Sequence, residues 1–544
     1  MLSSITKHVR STFRYAANLR ALSTTISQGK ETEMDELDHL LAKYFMEGEH
    51  VRPQKLLEQA ENIGIHLTEP RFRLTHSKIQ KIMRENPGGV CSLEEFKDTI
   101  ADSLPLVLRI AQGKVIIPRF KQFSEKITNL YDEEKSNYSG TVADYIPQLA
   151  KYSPDFWGVA VTTIDGQRLN LGDTEVNFAL QSSVKPFMYA VSITEESPQY
   201  VNKFLGTEPS GHDFNEILLD DENKPHNPMI NAGAIVVASL IKPNLPLAER
   251  TIHMLDVMSK LTAGDKIAID LPMFISEREN ADRNYAIAHY MNDHSCFPKG
   301  TNLREACDLY FQYCSIMMNT SQGSLLAASL ANGGVCPLTG ERVFADSAVR
   351  DALSIMHSCG MYNYSGTYAF EVGLPSKSGV SGVILTVIPN VMGICTWSPP
   401  LDMRINSVRG VEFHRKLVER FNFHNFDLIM DNYVSRGGID PRMRTFSKEH
   451  QITSVLFAAM KGDIRLMRMF AFSGYNFDSA DYDGRTALHI AAAEGQLEVC
   501  KFLLERCHVY IDPKDRWGQT PLYEAIRAEH DTVVGWLQSK GATS

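Results

Sequence analysis

The C-terminal end of the chain repeats itself, and a repeat restricts the fold more than composition can. Gly484-Arg-Thr486-Ala-Leu488-His-Ile-Ala491 recurs 34 residues later as Gly518-Gln-Thr520-Pro-Leu522-Tyr-Glu-Ala525. A weaker copy, Thr453 to Ala458 followed by Gly462, lies 33 residues before Thr486 and Gly495. A unit of this length holds two short helices and cannot enclose a core of its own, so each copy must bury its apolar side against the next. The threonine is placed to cap the first helix of each copy, with leucine and alanine facing the neighbour.

The T-x-L-H-x-A pattern resembles the ankyrin repeat, which assigns residues 450–544 to such a stack. Stacks of this kind present a concave surface to a protein partner, which the sequence does not name. The rest of the 544 residues exceeds what one core can hold. With 43% hydrophobic and 22% charged residues the chain reads as globular. Its net charge of −10 argues against nucleic acid as a partner. No apolar run approaches the roughly 18 residues of a membrane span. Nine scattered cysteines without a C-x-x-C pair predict reduced, mostly buried thiols, and no cluster has metal-ligand spacing.

Residues 1–30 carry Lys7, Arg10, Arg14, Arg20 and Lys30, many Ser and Thr, and no acid. This composition predicts a mitochondrial transit peptide, since the arginines interrupt any secretory apolar segment. Residues 35–125 read as short amphipathic helices, with Leu37, Leu40, Leu41, Tyr44 and Phe45 at helical spacing and a helix start at Ser92. They suggest a small, degenerate EF-hand-like bundle without a calcium loop. A polar stretch from Asp132 to Gly140 reads as a boundary.

The central unit, 141–425, begins with Trp157 to Ile164 and Gln167 to Leu171 around Asp165-Gly166, a hairpin signal. It ends with two strand-like runs, Gly379 to Ile388 and Val391 to Trp397. Helical stretches such as Ala232 to Ile241 and Leu303 to Asn319 lie between. This order predicts an α+β unit with an antiparallel sheet flanked by helices.

Ser182-Ser-Val-Lys185 is an S-x-x-K element at a predicted strand-to-helix junction. The same pattern at Ser4, Ser27 and Ser239 shows how little it means alone. Its chemistry is nevertheless specific. A serine hydroxyl needs a base to become a nucleophile, and a lysine one turn away serves only if burial and the helix N-terminus strip its charge. The plainer alternative is a capping serine with a solvated lysine. Lys377-Ser378-Gly379 late in the unit completes the S-x-x-K and K-[ST]-G order of serine β-lactamases and penicillin-binding proteins, but their S-D-N element is missing.

Longer segments carry a closer resemblance. Leu180 to Pro186, Pro225 to Ala234, Ser276 to Glu279 with Asp282 to Asn284, and His357 to Tyr362 are similar to the glutaminase family. The domain order resembles its kidney-type, phosphate-activated mitochondrial members. The resemblance implies a serine β-lactamase-like core that hydrolyses L-glutamine to L-glutamate and ammonia in the mitochondrial matrix, and a homotetramer, with filaments as a further assembly. It implies Ser182 as nucleophile, Lys185 as base, Tyr362 as proton relay, and the N–H groups of Ser182 and Val380 as oxyanion donors. Glu277 would take the substrate ammonium, with Asn231, Asn284, Tyr310, Tyr145 and Gln181 completing the pocket. Taken one by one, Asn231 could equally be a helix cap, Glu277 a surface acid, Asn284 a turn residue, and Tyr310 and Tyr362 core aromatics. No metal or cofactor is implied, beyond inorganic phosphate as an activator. The loop Gly211 to Leu218 departs from the family pattern with Asp213, Glu216 and Leu218. An acidic loop attracts phosphate less, which leaves activation by phosphate, and response to loop-binding inhibitors, open. A penicillin-recognising enzyme on the same scaffold and an inactive scaffold serving the repeats are the competing readings.

Overall fold

A computed structural model describes residues 36–86, 88–212, 215–427, 448–472 and 475–543. The predicted transit peptide, part of the acidic loop and the stretch 428–447 lie outside these residues.

The N-terminal region is helical: α1 (Glu36–Phe45), α2 (Gln54–Asn62), α3 (Arg73–Glu85), α4 (Leu93–Ile100), α5 (Leu104–Gln112) and α6 (Phe120–Lys135). Between α1 and α2, the two-residue strands β1 (Met46–Glu47) and β2 (His50–Val51) pair antiparallel. The chain divides into two compact units, one holding residues up to Leu56 together with Ser77–Asp102, the other the remainder. In the first, Leu41, Phe45, Val51 and Phe96 are buried, with the rings of Phe45 and Phe96 5.3 Å apart. Ser92 caps α4 by accepting the Glu95 amide at 3.2 Å, and the Val51–Cys91 bridge ties its entry to β2. In the second unit, α6 continues into the polar stretch read as a boundary.

The second unit is built on a five-stranded antiparallel sheet. Its strands are β3 (Gly158–Thr163), β4 (Arg168–Gly172), β8 (Ser376–Gly379), β9 (Val383–Ile388) and β10 (Met392–Trp397), in the order β4-β3-β10-β9-β8. A small three-stranded sheet joins β5 (Phe178–Ala179), β7 (Ile316–Met318) and β6 (Ala268–Ile269), with β7 central. Helices of the same unit are α7 (Lys185–Glu195), α8 (Asn231–Leu240), α9 (Leu247–Leu261), α10 (Leu271–Glu279), α11 (Asp282–Asp293), α12 (Leu303–Cys314), α13 (Thr320–Ala331), α14 (Asp346–Cys359) and α15 (Val408–Arg420).

Both faces of the large sheet are covered, which is why β9 is apolar on both faces, Thr386 apart, rather than alternating. Val383, Leu385 and Val387 join the core formed with α7, α8, α12 and α13, whereas Ile384 and Ile388 point to the core formed with α6 and α15. Helix α13 lies directly on the sheet because residue 393 is glycine: a Cβ there would stand 2.0 Å from the Ala328 nitrogen. Helix α8, NAGAIVVASL, is buried along its whole length.

Two expectations are corrected. The predicted strand Gly379 to Ile388 is broken by a turn in which the Gly382 amide bonds the Gly379 carbonyl at 2.9 Å, with Gly382 at φ +92°. The predicted helix Leu303 to Asn319 stops at Cys314, because Ile316–Met318 are needed as the central strand between two short partners.

The repeats form three helix pairs, α16 (Lys448–Lys461) with α17 (Ile464–Phe472), α18 (Ala487–Ala493) with α19 (Leu497–Glu505), and α20 (Pro521–Arg527) with α21 (Asp531–Ser539). Leu488, Ala491, Leu522 and Ala525 are buried between them. Thr520 accepts the Tyr523 amide at 3.3 Å, and the Thr486 amide is bonded by His489 Nδ1 at 3.1 Å.

Candidate active site

Ser182 lies in a single 3-10 turn, Gln181–Val184, between β5 and α7. The α-helix proper starts at Lys185, with Pro186 in its first turn where no amide is needed. The Lys185 amide bonds back to the Ser182 carbonyl, so hydroxyl and amine leave the chain one turn apart. Lys185 is 1% exposed, and its Nζ donates to the Met229 carbonyl at 3.1 Å and to Asn231 Oδ1 at 2.8 Å. Among the described residues no carboxylate pairs with it. Burial therefore dominates and lowers its pKa to about 8.

Asn231 is the first residue of α8, but its side chain does not cap that helix. Its oxygen accepts from Lys185 and from the Tyr310 hydroxyl at 3.0 Å, and its amide donates to Asn284 Oδ1 at 3.1 Å. Two donors on Oδ1 fix which end of the amide faces the lysine. Glu277, on α10, accepts from the Tyr145 hydroxyl at 2.6 Å and from Gln181 Nε2 at 2.9 Å. Burial raises its pKa, and these two hydrogen bonds oppose the rise. Tyr145 keeps 48% of its surface exposed, so its ring borders the site while its hydroxyl reaches in.

Tyr362 hydrogen-bonds Ser182, and burial holds its phenol well above the ordinary range, so it stays a neutral O–H. Gln181 and Tyr362, on the two sides of the serine, both have φ +51°. A left-handed backbone at non-glycine residues costs about 1–2 kcal/mol each and persists only where the surroundings enforce it.

Strand β8 closes the site. Gly379 passes so near the serine turn that a Cβ would lie 2.6 Å from the Leu180 carbonyl oxygen. This contact sets Val380 beside the turn that carries Ser182. Lys377, on the same strand, is fully buried; its Nζ donates to the Ser378 carbonyl at 2.8 Å and lies 4.6 Å from the Tyr362 ring centre. Burial and the nearby Lys185 push its pKa well down.

The structure thus brings together Ser182, Lys185, Tyr145, Gln181, Asn231, Glu277, Asn284, Tyr310, Tyr362 and Val380. The sequence reading passed over two further members, and it gave Lys377 no role. The Met229 carbonyl holds the base, a backbone contribution with no side-chain signature. Cys314 hydrogen-bonds Tyr310 and interacts with Lys185, Lys377 and Glu277, while burial pushes its thiol up to about 12. Its place one helical turn after Tyr310 on α12 was the available signal. Among the described residues no group of three His, Cys, Asp or Glu is placed to hold a metal ion. What the arrangement can do chemically is nucleophilic substitution at a carbonyl, with a low-pKa amine as base and a neutral phenol as acid.

Comparison with known proteins gives the same picture. A family model described as Glutaminase matches residues 140–426, and one for three ankyrin repeats matches 455–543. The chain is 45% identical over 505 residues to the mouse protein named glutaminase liver isoform, mitochondrial, covering 92% of this chain and 83% of the relative. A solved structure described as a probable glutaminase, ybaS, is 36% identical with a TM-score of 0.53, over 55% of this chain and 96% of that one. The structure of Mglu in its glutamate form is 35% identical with a TM-score of 0.53, over 57% of this chain and 69% of that one.

Proposed function

The chain belongs to the glutaminase family, with the β-lactamase-like core and C-terminal ankyrin repeats, and on that premise we propose how it hydrolyses L-glutamine to L-glutamate and ammonia. Ser182 Oγ attacks the side-chain carbonyl carbon while neutral Lys185 takes its proton. The new C–O bond leaves a tetrahedral oxyanion, which the N–H groups of Ser182 and Val380 receive. Collapse breaks the C–N bond; Tyr362 passes its proton to the departing nitrogen and takes the one Lys185 had accepted, so ammonia leaves, the phenol is restored and Lys185 is neutral again. Lys185 then deprotonates a water that attacks the glutamyl ester, and Ser182 leaves with its proton restored.

The substrate is a zwitterion, and the site offers a match for each end. Glu277 pairs with the α-ammonium, and the remaining amide hydrogens of Asn284 and Asn231 donate to the α-carboxylate, with Tyr310 bordering the pocket and holding Asn231 in place. The observation that carries the mechanism is the buried Lys185 amine, held by two carbonyl oxygens and, among the described residues, by no carboxylate. Ammonia release from glutamine and from asparagine, by wild type and Ser182→Ala, tests it. Release should be confined to glutamine and wild type; a Ser182→Ala enzyme of undiminished rate removes the mechanism.

The same reading includes mitochondrial import into the matrix, supported by the basic, acid-free residues 1–30 and by the name of the mouse relative. It includes a homotetramer, which light scattering tests, and a protein ligand for the ankyrin repeats. The reading also takes inorganic phosphate as an activator, with the Glu216 carboxylate, 3.3 Å from His212, as the feature of the loop that opposes an anion. Equal rates with and without phosphate remove it.

A further inference from the structure

A cleft of about 580 Å³ opens in the second unit, lined by Arg71, Arg109, Lys114, Asp165, Asn332 and Thr339 among others. None of the residues gathered around Ser182 lines it. The volume is that of a small-molecule site.

Three cations reach this cleft from separate pieces of chain. Arg71 stands just before α3, Arg109 lies in the last turn of α5, and Lys114 follows Gly113, whose φ of +62° ends that helix. Two of the cations are fixed in place. Arg71 Nη2 donates to the Asp165 carbonyl at 2.8 Å, and its guanidinium pairs with Glu69 at 2.6 Å. The guanidinium comes close to the β3–β4 turn because residue 166 is glycine: a Cβ there would be 2.2 Å from Nη2. Arg109 Nη1 donates to Asp165 Oδ1 at 3.2 Å, while Oδ2 of the same carboxylate accepts the Ile116 amide at 2.6 Å. Lys114 is exposed, and no carboxylate among the described residues lies within ion-pair reach of it.

The lining therefore carries three positive groups against one carboxylate. Glu69 sits behind Arg71 and pairs with it, so Lys114 is the cation of the three that the adjacent carboxylates leave uncompensated. A positive cleft on a chain of net charge −10 runs against the overall charge. Arginines pre-positioned by backbone and carboxylate contacts lose little freedom on binding, and their planar forks match oxyanions.

We propose that this cleft is a binding site for a small oxyanion carrying two or more negative charges, a chemistry shared by phosphate esters and polycarboxylates. Arg71 and Arg109 grip it from the sheet turn and the end of α5, and Lys114 closes over it. The bound anion ties those elements to the β3–β4 turn and stabilises the unit. This assignment does not depend on the mechanism at Ser182.

Calorimetric titration and thermal unfolding of the full chain, at constant ionic strength with chloride as balance, test it using pyrophosphate in one arm and citrate in the other. Wild type should bind at least one of them and show a raised Tm. Binding of pyrophosphate alone assigns the phosphate class, and of citrate alone the polycarboxylate class. Lys114→Glu should weaken binding at least tenfold, and the milder Lys114→Gln about threefold, with glutamine hydrolysis in the absence of added anion unchanged. Absence of binding by either anion at millimolar concentration overturns the proposal. Equal binding by wild type and both Lys114 variants also overturns it, since the anion would then sit elsewhere, the Ser182 site included.

Discussion

Asn231 Oδ1 lies 2.8 Å from Lys185 Nζ and accepts one of its hydrogens, while the Met229 carbonyl accepts another at 3.1 Å. A neutral amine has two hydrogens and one lone pair. With both hydrogens committed to carbonyl oxygens, the lone pair is the group left for the Ser182 proton. The same two acceptors also suit the ammonium form, so the protonation state is decided by burial, which lowers the pKa to about 8.

Activity should follow that ionisation. Only the deprotonated amine is a base, so kcat/KM should climb with pH along a limb centred near 8 and level off above it. Lys185→Arg keeps a cation that cannot lose its proton in this range, and it should lower kcat by about 10³-fold or more across the profile. A limb centred near 6, or substantial activity in the arginine variant, would contradict the role of Lys185.

The base should also burden stability. The folded pKa near 8 lies below the ordinary lysine value of 10.5, so between those values the unfolded chain binds more protons and stability rises with pH. The full penalty, about 3 kcal/mol at most, applies below pH 8. Lys185→Met should therefore be inactive yet about 1–3 kcal/mol more stable at pH 7, with the gap narrowing towards pH 10. Urea unfolding of both proteins at the two pH values measures it. A methionine variant less stable than wild type at pH 7 goes against the prediction.

Much of this site was legible because its chemistry is compressed into short segments. Ser182 and Lys185 share one turn, and the segments around Asn231, Glu277 and Tyr362 are long enough to be specific. The hairpin at Asp165-Gly166 was legible for a different reason, since a D-G turn demands left-handed glycine and Gly166 has φ +89°. What escaped depends on tertiary packing. No local pattern shows that Met229 turns its carbonyl to a lysine 44 residues away. Cys314 reads as an ordinary buried thiol until Tyr310 and the two lysines surround it. The turn at 379–382 ahead of the apolar strand was passed over because Gly379 and Gly382 are required by close approach to Leu180 and Ser398, not by strand propensity.

Recognition of the α-ammonium should separate from catalysis at Glu277. This carboxylate is held by Tyr145 and Gln181 and touches none of the groups assigned to bond-making. Glu277→Gln should raise KM for glutamine by about 10–100-fold, the value of a charge-assisted hydrogen bond, with a smaller fall in kcat. Glutaramate, which lacks the α-amino group, should be turned over almost equally by the two enzymes. A loss for glutaramate as large as that for glutamine would mean that Glu277 acts on the reaction and not on the ammonium.

Gly379 makes the strictest geometric demand. Alanine there would place Cβ 2.6 Å from the Leu180 oxygen and 2.8 Å from Val383 Cγ1, so β8 must retreat from the serine turn. Val380 is the next residue, and its N–H would withdraw from the oxyanion. Losing one such donor costs about 10²–10³-fold in kcat, and overpacking should cost about 1–3 kcal/mol in stability. Glu277 and Asn231 stand on other elements, so KM should change much less than kcat. Steady-state kinetics on Gly379→Ala, with unfolding measured in parallel, distinguishes the alternatives. A variant that loses stability yet keeps its full kcat would show that the approach of β8 to Leu180 serves packing alone and that the oxyanion is held by some other donor.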